Sequence, residues 1–406
     1  MNRRSFLKAS AAAPLLAAPA AAVAAGIPSE EWIKPVFNLH SKVSAPVKIA
    51  SIELLRSGKQ YFVRTRSADG AEGIILTKDM VDFIPILRNR VIPHFLNKDA
   101  RDLESLVDDV YIANYKLSGQ AFWCPVAYVE QSLFDLLGKT AHKSASELMG
   151  GPLRKEVAVY LSGSGRDTTA EEEVDVYVRG VEETGARAVK FKIGGRMSDN
   201  KDAYPGRTDK IFELAAKKLA GKVTLMADAN GSYSAAKAIE IGKRLQEMKY
   251  LFFEEPCPWE EKGEMKKVTD ALDIKIAFGE QDSSLWMFDW MIRNQVIDVV
   301  QPDLNYNGGF TRAARVARMA RAANNMWICP HNTQTGAASV NILHFAATTA
   351  NIGPWMEYVH RSQPKPESWY KPNFLIRNGV IPVPTGPGMG LEFDPDFLKK
   401  AQVVPA

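Results

Sequence analysis

Between Val189 and Glu357 the chain repeats one pattern at nearly constant spacing. A short apolar run ends in a charged or polar residue, and an amphipathic stretch follows nearly every one. The runs close on Lys190-Phe191-Lys192, Asp228-Ala229-Asn230, Glu254-Glu255-Pro256, Gly279-Glu280, Pro302-Asp303, Pro330-His331 and Met356-Glu357. From Asp228 through Glu254, Glu280, Asp303 and His331 to Glu357, the steps are 26, 26, 23, 28 and 26 residues. One strand, one helix and two loops fill such a step. Strands are expected at 157–162, 188–193, 223–228, 251–254, 276–280, 299–303, 327–330 and 354–357, with helices between them. Apolar runs alternating with amphipathic helices predict a parallel sheet covered by helices. Eight units over some two hundred residues predict a closed barrel with every C-terminal strand tip at one mouth. The rival, an open doubly wound sheet, binds its ligands at a single switch point and does not gather seven consecutive tips.

The remainder of the 406 residues divides around this core. Residues 1–25 open with Arg3-Arg4 and Lys8 and continue as an Ala/Leu stretch broken by Pro14 and Pro19. This resembles a twin-arginine export signal, and it predicts export to the periplasm, or outside a monoderm cell. Residues 26–46 read as a linker or surface arm. Residues 47–153 read as a separate α+β unit: two strands around Ser57-Gly58-Lys59, a third after Ala68-Asp69-Gly70, then helical periodicity. Its best helix is expected at 126–137, with Pro125 as punctuation; Glu130 and Asp135 within it suit a capping or ion-pair role. Residues 154–375 form the barrel, and the Pro/Gly-rich segment 376–406 is expected to run back to the N-terminal unit. Composition excludes more than it assigns. The net charge of +4 falls to about +1 (4 − 3) without Arg3, Arg4 and Lys8, so no basic field argues for nucleic acid. Cys124, Cys257 and Cys329 are too few and too scattered for a disulfide framework or a zinc site. No stretch after the signal is long and apolar enough to span a bilayer.

The strand tips carry a complete acid–base set. Asp228, Glu254 and Glu280 lie on three successive tips, where three carboxylates facing one point repel and a divalent cation relieves them. All-oxygen ligation favours Mg²⁺ or Mn²⁺ over zinc. Lys190 and Lys192 are two apart on one strand, so both point into the mouth. Two like charges beside a metal are expected to lower each other's proton affinity and to poise one lysine as a base. Asp303 and His331 on the next two tips suit a dyad in which the carboxylate fixes the imidazole tautomer. Glu357, on the eighth, is expected to stay protonated and donate a hydrogen bond to an enolate oxygen, or else to pair with Arg361 or a nearby lysine.

Together these residues resemble the enolase superfamily, and within it the mandelate racemase subgroup. The resemblance implies a modified (β/α)7β TIM barrel with an N-terminal α+β capping domain and a returning tail. It implies that Lys190-Phe191-Lys192 is the K-x-K motif with Lys192 as base, and that Asp228, Glu254 and Glu280 are the metal ligands. Asp303 with His331 matches the dyad, Glu357 the acid of the eighth strand, and Asn230 falls where relatives contact substrate. The sixth tip reads Asp303-Leu304-Asn305, not the lysine of the muconate-lactonising and dipeptide-epimerising subgroup. The capping region reads Gly73-Ile74-Ile75-Leu76-Thr77 where many relatives carry Gly-Trp-Gly-Glu, and the loop 194–207 is long. The implied chemistry is Mg²⁺-dependent removal of the proton α to a carboxylate through an enediolate. A small-molecule carboxylate is the expected partner, with dehydration of a sugar acid to a 2-keto-3-deoxy acid as the leading activity. A racemase or epimerase uses the same residues, and an exported acid-binding protein without turnover is the third alternative. Relatives are often dimers or octamers; this sequence does not fix a homo-oligomer.

Overall fold

Three antiparallel strands build the N-terminal unit: β1 (Ile49–Ser57), β2 (Gln60–Ser67) and β3 (Glu72–Thr77). The structure, a computed structural model, describes residues 28–163, 165–360 and 366–404, so the export signal assigned to 1–25 lies outside them. Ser57-Gly58-Lys59 makes the first hairpin turn, with Gly58 at φ +60°. One sheet face packs against the helix Gln120–Ala141, which is buried along most of its length. The expected boundary at Pro125 is corrected: the helix begins at Gln120 and runs through it. Pro125 lies inside the helix and removes the N–H that would bond the carbonyl of Ala121, a loss offset by the packing of a helix buried along most of its length.

Glu130 ties this helix to the barrel, and Asp135 ties it to β3 and the tail. Glu130 accepts from the backbone N–H groups of Phe310 (2.5 Å) and Thr311 (2.8 Å), capping the first turn of the helix Phe310–Ala322. Gly309 precedes that turn at φ +101°, and a Cβ there would strike the Glu130 carboxylate. Asp135 accepts from Ile74 and Met389 N–H and pairs with Lys139 at 2.7 Å.

The parallel strands follow in chain order: β4 (Glu156–Ser162), β5 (Ala188–Lys192), β6 (Thr224–Asp228), β7 (Phe252–Glu254), β8 (Lys275–Phe278), β9 (Val299–Val300), β10 (Trp327–Ile328) and β11 (Met356–Val359). A helix follows each of the first seven, the first opened by a capping box of Thr169 and Glu172. The sheet runs β10-β9-β8-β7-β6-β5-β4-β11, and its two ends meet through a parallel bridge between Ile328 and Ile352, just before β11. This is the (β/α)7β barrel. Its interior carries buried side chains such as Tyr160, Met226 and Phe252 below the tips, leaving the charged residues at the mouth.

The tail adds β12 (Tyr370–Lys371), β13 (Val380–Pro382), β14 (Glu392–Phe393) and β15 (Gln402–Val403). β13 pairs antiparallel with β4, and β15 pairs antiparallel with β1, so the chain end becomes the fourth strand of the N-terminal sheet. Among the described residues no helix is long and apolar enough to cross a membrane.

His344 pins the tail to the barrel. Its Nδ1 accepts from Ser146 N–H (3.2 Å) and its Nε2 donates to the Met389 carbonyl (3.1 Å). That use of both nitrogens requires a neutral ring, and complete burial pushes its pKa down to about 4. The unfolded chain, near the ordinary histidine value, therefore binds a proton first as pH falls. Stability is full above the unfolded value and is lost as pH drops toward 4, by about 3 kcal/mol from this one residue. Urea unfolding at neutral pH and near pH 4.5 checks it: His344→Asn is expected to show the shallower acid loss.

Candidate active site

Strand register places the first charges. In the parallel ladders Lys192 lies opposite Asp228, and Asp228 lies opposite Glu254. Side chains at matched positions of neighbouring strands point to one side, so these three share the barrel mouth with Lys190, two residues before Lys192. Glu280 lies two residues beyond β8. Gly279 between them takes φ +125°, a conformation favourable only to glycine, and turns the chain so that Glu280 joins the others. Oxygens of Asp228, Glu254 and Glu280 all lie within 4.8 Å of one another. Asp303 and His331 follow β9 and β10, and Glu357 lies within β11. All eight residues are buried, none more than 5% exposed, so each charge must find a partner.

Lys190 is the hub. Its Nζ lies 2.6 Å from Glu254 Oε1, 2.8 Å from Glu357 Oε1 and 3.8 Å from Asp228 Oδ2. Burial lowers its proton affinity, but the Glu254 and Glu357 carboxylates outweigh burial and hold its pKa well above the ordinary lysine value. The expectation that two neighbouring lysines depress each other is therefore corrected for Lys190: acids, not Lys192, are its nearest neighbours. Lys192 Nζ donates to Asp228 Oδ2.

The role expected of Glu357 is also corrected. Burial raises its pKa, but Lys190 and then His331 bring it down to about 2, so it is ionised. It accepts instead of donating: Oε2 takes the backbone N–H of Asn332 at 3.0 Å while Oε1 pairs with Lys190. The nearby lysine is thus Lys190; Arg361 lies outside the described residues.

The dyad is formed. His331 Nδ1 lies 2.8 Å from Asp303 Oδ2, and Asp303 Oδ1 accepts from the N–H groups of Asn305 (2.7 Å) and Tyr306 (3.1 Å). With Nδ1–H held by Asp303, Nε2 is the nitrogen left for substrate; it lies 3.4 Å from Glu280 Oε2. Burial lowers the His331 pKa, and Glu280, Asp303 and Glu357 push it back up to about 9.

Asn230 sits at the rim, its Oδ1 accepting from Arg166 Nη1 (2.9 Å) and its Nδ2 donating to Glu255 Oε2 (3.2 Å). Arg166 also donates to the carbonyls of Ile193 and Gly194, tying β5 and β6 together.

Five buried carboxyl groups (Asp228, Glu254, Glu255, Glu280 and Glu357) converge on two ammonium groups, three more acids than lysines (5 − 2), with the His331 ring and the Arg166 guanidinium at the edge of the set. Burial and the neighbouring acids push Glu254 up to about 8 even though Lys190 opposes the shift. Among the described residues, no hydrogen-bond donor meets the buried Glu280 Oε2 or Glu255 Oε1. A hard divalent cation fits this set: oxygen donors only, converging, and short of positive charge. Asp228, Glu254 and Glu280 would hold it.

Several contributors were not expected from the sequence. Gln301 Nε2 donates to Glu254 Oε2 at 2.8 Å; it lies two residues before Asp303, and strand period alone could have found it. Gln120, from the N-terminal unit, donates to Gln281 (2.6 Å), which donates to Glu280 (2.8 Å). Lys78 reaches from beyond β3 to Tyr306 Oη at 2.6 Å and lies 3.9 Å from Asp303. No local spacing marks Gln120 or Lys78, because their partners are about 160 or more residues away. A cavity of about 330 Å³ opens over the tips, lined by Lys192, Asn230, Glu280, His331 and Glu357 together with Tyr306.

Comparison with known proteins agrees with this fold. Residues 173–397 match the family described as enolase C-terminal domain-like. The chain is 28% identical to an arabinonate dehydratase of Saccharolobus solfataricus, over 73% of this chain and 78% of that protein. It is 23% identical to a D-mannonate dehydratase of Caulobacter vibrioides, over 83% and 90%. A solved structure from Roseobacter denitrificans, provisionally named a racemase, superposes with a TM-score of 0.81 at 32% identity, covering 87% of this chain and 98% of that one. A mandelate racemase/muconate lactonizing protein from Paracoccus denitrificans, complexed with magnesium, superposes with a TM-score of 0.80 at 27% identity, over 88% and 99%. The chain belongs to the enolase superfamily, as an enzyme of the acid-sugar dehydratase or racemase kind.

Proposed function

We propose that this enzyme removes the proton α to the carboxylate of a sugar acid and expels the β-hydroxyl as water, giving a 2-keto-3-deoxy acid. One observation carries the reading: Lys192 and His331, two groups able to move protons, line the same small cavity as Glu280 of the acid triad. Relatives named as dehydratases of arabinonate, D-mannonate and D-galactonate support the substrate class.

Asp228, Glu254 and Glu280 are assigned as holders of Mg²⁺, with Mn²⁺ able to replace it. A bound divalent cation supplies charge stabilisation for oxygen atoms that become anionic during the reaction. Lys190 clamps Glu254 and Glu357 in place and keeps its own proton. Lys192 Nζ lies against Asp228 and turns to the substrate as base once that carboxylate is otherwise engaged. His331 Nε2, with Nδ1 fixed by Asp303, takes the α-proton from the other side or, when protonated, gives its proton to the departing β-hydroxyl. The α-carbon's electron pair forms the new double bond as the C–O bond breaks, and the enol product ketonises. Burial keeps bulk water from the carbanion-like centre.

A racemase reading is favoured by one further observation. Lys192 ends β5 and His331 follows β10, with the acid-bearing strands β6, β7 and β8 between them, so two bases address one cavity from separate sides. Product analysis separates the two. The magnesium-loaded enzyme is incubated with D-arabinonate, D-mannonate, D-galactonate, D-xylonate and α-hydroxy acids, and the products are read by NMR. A 2-keto-3-deoxy acid is the expected result. Inversion at the α-carbon with no keto acid replaces dehydration by racemisation, and silence across the panel overturns the substrate class.

A further inference from the structure

Lys78 and Tyr306 join the two halves of the molecule at the dyad wall of the cavity. Lys78 directly follows β3, and its backbone N–H donates to Tyr128 Oη at 3.2 Å, which pins the root of the side chain. Its ammonium donates to Tyr306 Oη at 2.6 Å and lies 4.2 Å from the centre of the phenol ring. Tyr306 is fixed at both ends: its N–H donates to Asp303 at 3.1 Å, and its ring lies 6.0 Å from the His331 ring. Tyr306 lines the cavity, and Lys78 does not.

The hydrogen-bond inventory of this pair leaves one group unused. A phenol can donate once and accept as well. Here the oxygen accepts from Lys78, so its own hydrogen remains, and among the described residues no acceptor takes it. A donor polarised by an ammonium group and facing a substrate cavity selects an oxygen acceptor. The charge at this wall is already balanced, because Lys78 lies 3.9 Å from the Asp303 carboxylate. A neutral hydroxyl therefore fits the wall better than a second carboxylate.

We infer that Tyr306 is a specificity-determining residue that donates to one hydroxyl of a polyhydroxylated acid beyond C3, and that Lys78 is the positioning residue that holds it there. This rests on the sugar-acid reading above. It makes the N-terminal unit part of substrate selection through one side chain: without Lys78 the phenol loses the partner that sets its direction.

The test uses the panel acid with the highest kcat/KM and its monodeoxy analogues beyond C3. In the unaltered enzyme one analogue is expected to lose about thirtyfold in kcat/KM, and the others little. In Tyr306→Phe the parent acid falls by about the same factor, and that analogue then matches the parent within about twofold. Lys78→Met, nearly isosteric along its stem, follows the same selective pattern, and the double variant falls no further than either single one. Equal losses on the parent and every analogue in Tyr306→Phe, or no loss, overturn the inference while leaving the proposed activity standing. An unaltered enzyme that turns over none of the panel acids overturns the proposed activity itself, and this inference with it.

Discussion

Replacing Lys192 with alanine and His331 with asparagine in one chain is expected to lower kcat by at least about 10⁴-fold. A positioned general acid or base contributes about 10²- to 10⁴-fold, and this variant removes both candidates from the cavity. Each single variant is expected to lose about 10³-fold. The two need not multiply, since residues that act on one reaction coordinate are rarely additive. Neither side chain belongs to the acid triad, whose oxygens converge without them. The variants should therefore still bind Mn²⁺ with one ion per chain, measured by titration, and should keep the far-ultraviolet spectrum of the parent. Turnover within about tenfold of the parent in the double variant would remove both residues from the mechanism.

The largest effect on stability is expected from Lys190→Met. The ammonium is fully buried and lies 2.6 Å from Glu254 and 2.8 Å from Glu357. Methionine keeps the volume and removes the charge, leaving two buried carboxylates without their main cation. Breaking a buried ion pair from one side costs about 3–5 kcal/mol. The loss is expected at neutral pH in magnesium-free buffer, seen as a lowered urea midpoint. Saturating magnesium should return part of it, because a cation among Asp228, Glu254 and Glu280 neutralises charge that Lys190 no longer meets. A loss below about 1 kcal/mol without magnesium would mean that Lys190 is not the hub of the cluster.

The barrel was legible because its strands carry a periodic signal. Each unit repeats an apolar run and an amphipathic helix, and that rhythm alone placed Asp228, Glu254, Glu280, Asp303, His331 and Glu357 at successive tips. The Lys190 and Lys192 pair was legible from the two-residue period of a strand. What failed was electrostatics at the level of single partners. The sequence suggests two lysines weakening each other and a protonated Glu357. The structure instead interleaves acids and bases, so that Lys190 binds its proton more tightly and Glu357 gives its proton up. Pro125 misled because tertiary packing overrode a local rule: the helix that runs through it is buried along most of its length. Lys78, Tyr306 and Gln120 were invisible because they meet their partners across the seam between two units, where no spacing rule reaches. Glu130 and Asp135 carried the ambiguity common to buried acids, and their backbone partners mark them as caps and braces.

Removal of the proton α to a carboxylate is the step proposed for this site. Incubating the magnesium-loaded enzyme with D-arabinonate, D-mannonate and D-galactonate in D₂O, and following the α-position by NMR, measures it directly. The α-hydrogen of at least one acid is expected to be lost, by dehydration or by exchange for deuterium, and the loss is expected to disappear in the Lys192→Ala, His331→Asn double variant. An α-hydrogen retained in every acid, by an enzyme shown to carry its metal, would contradict it.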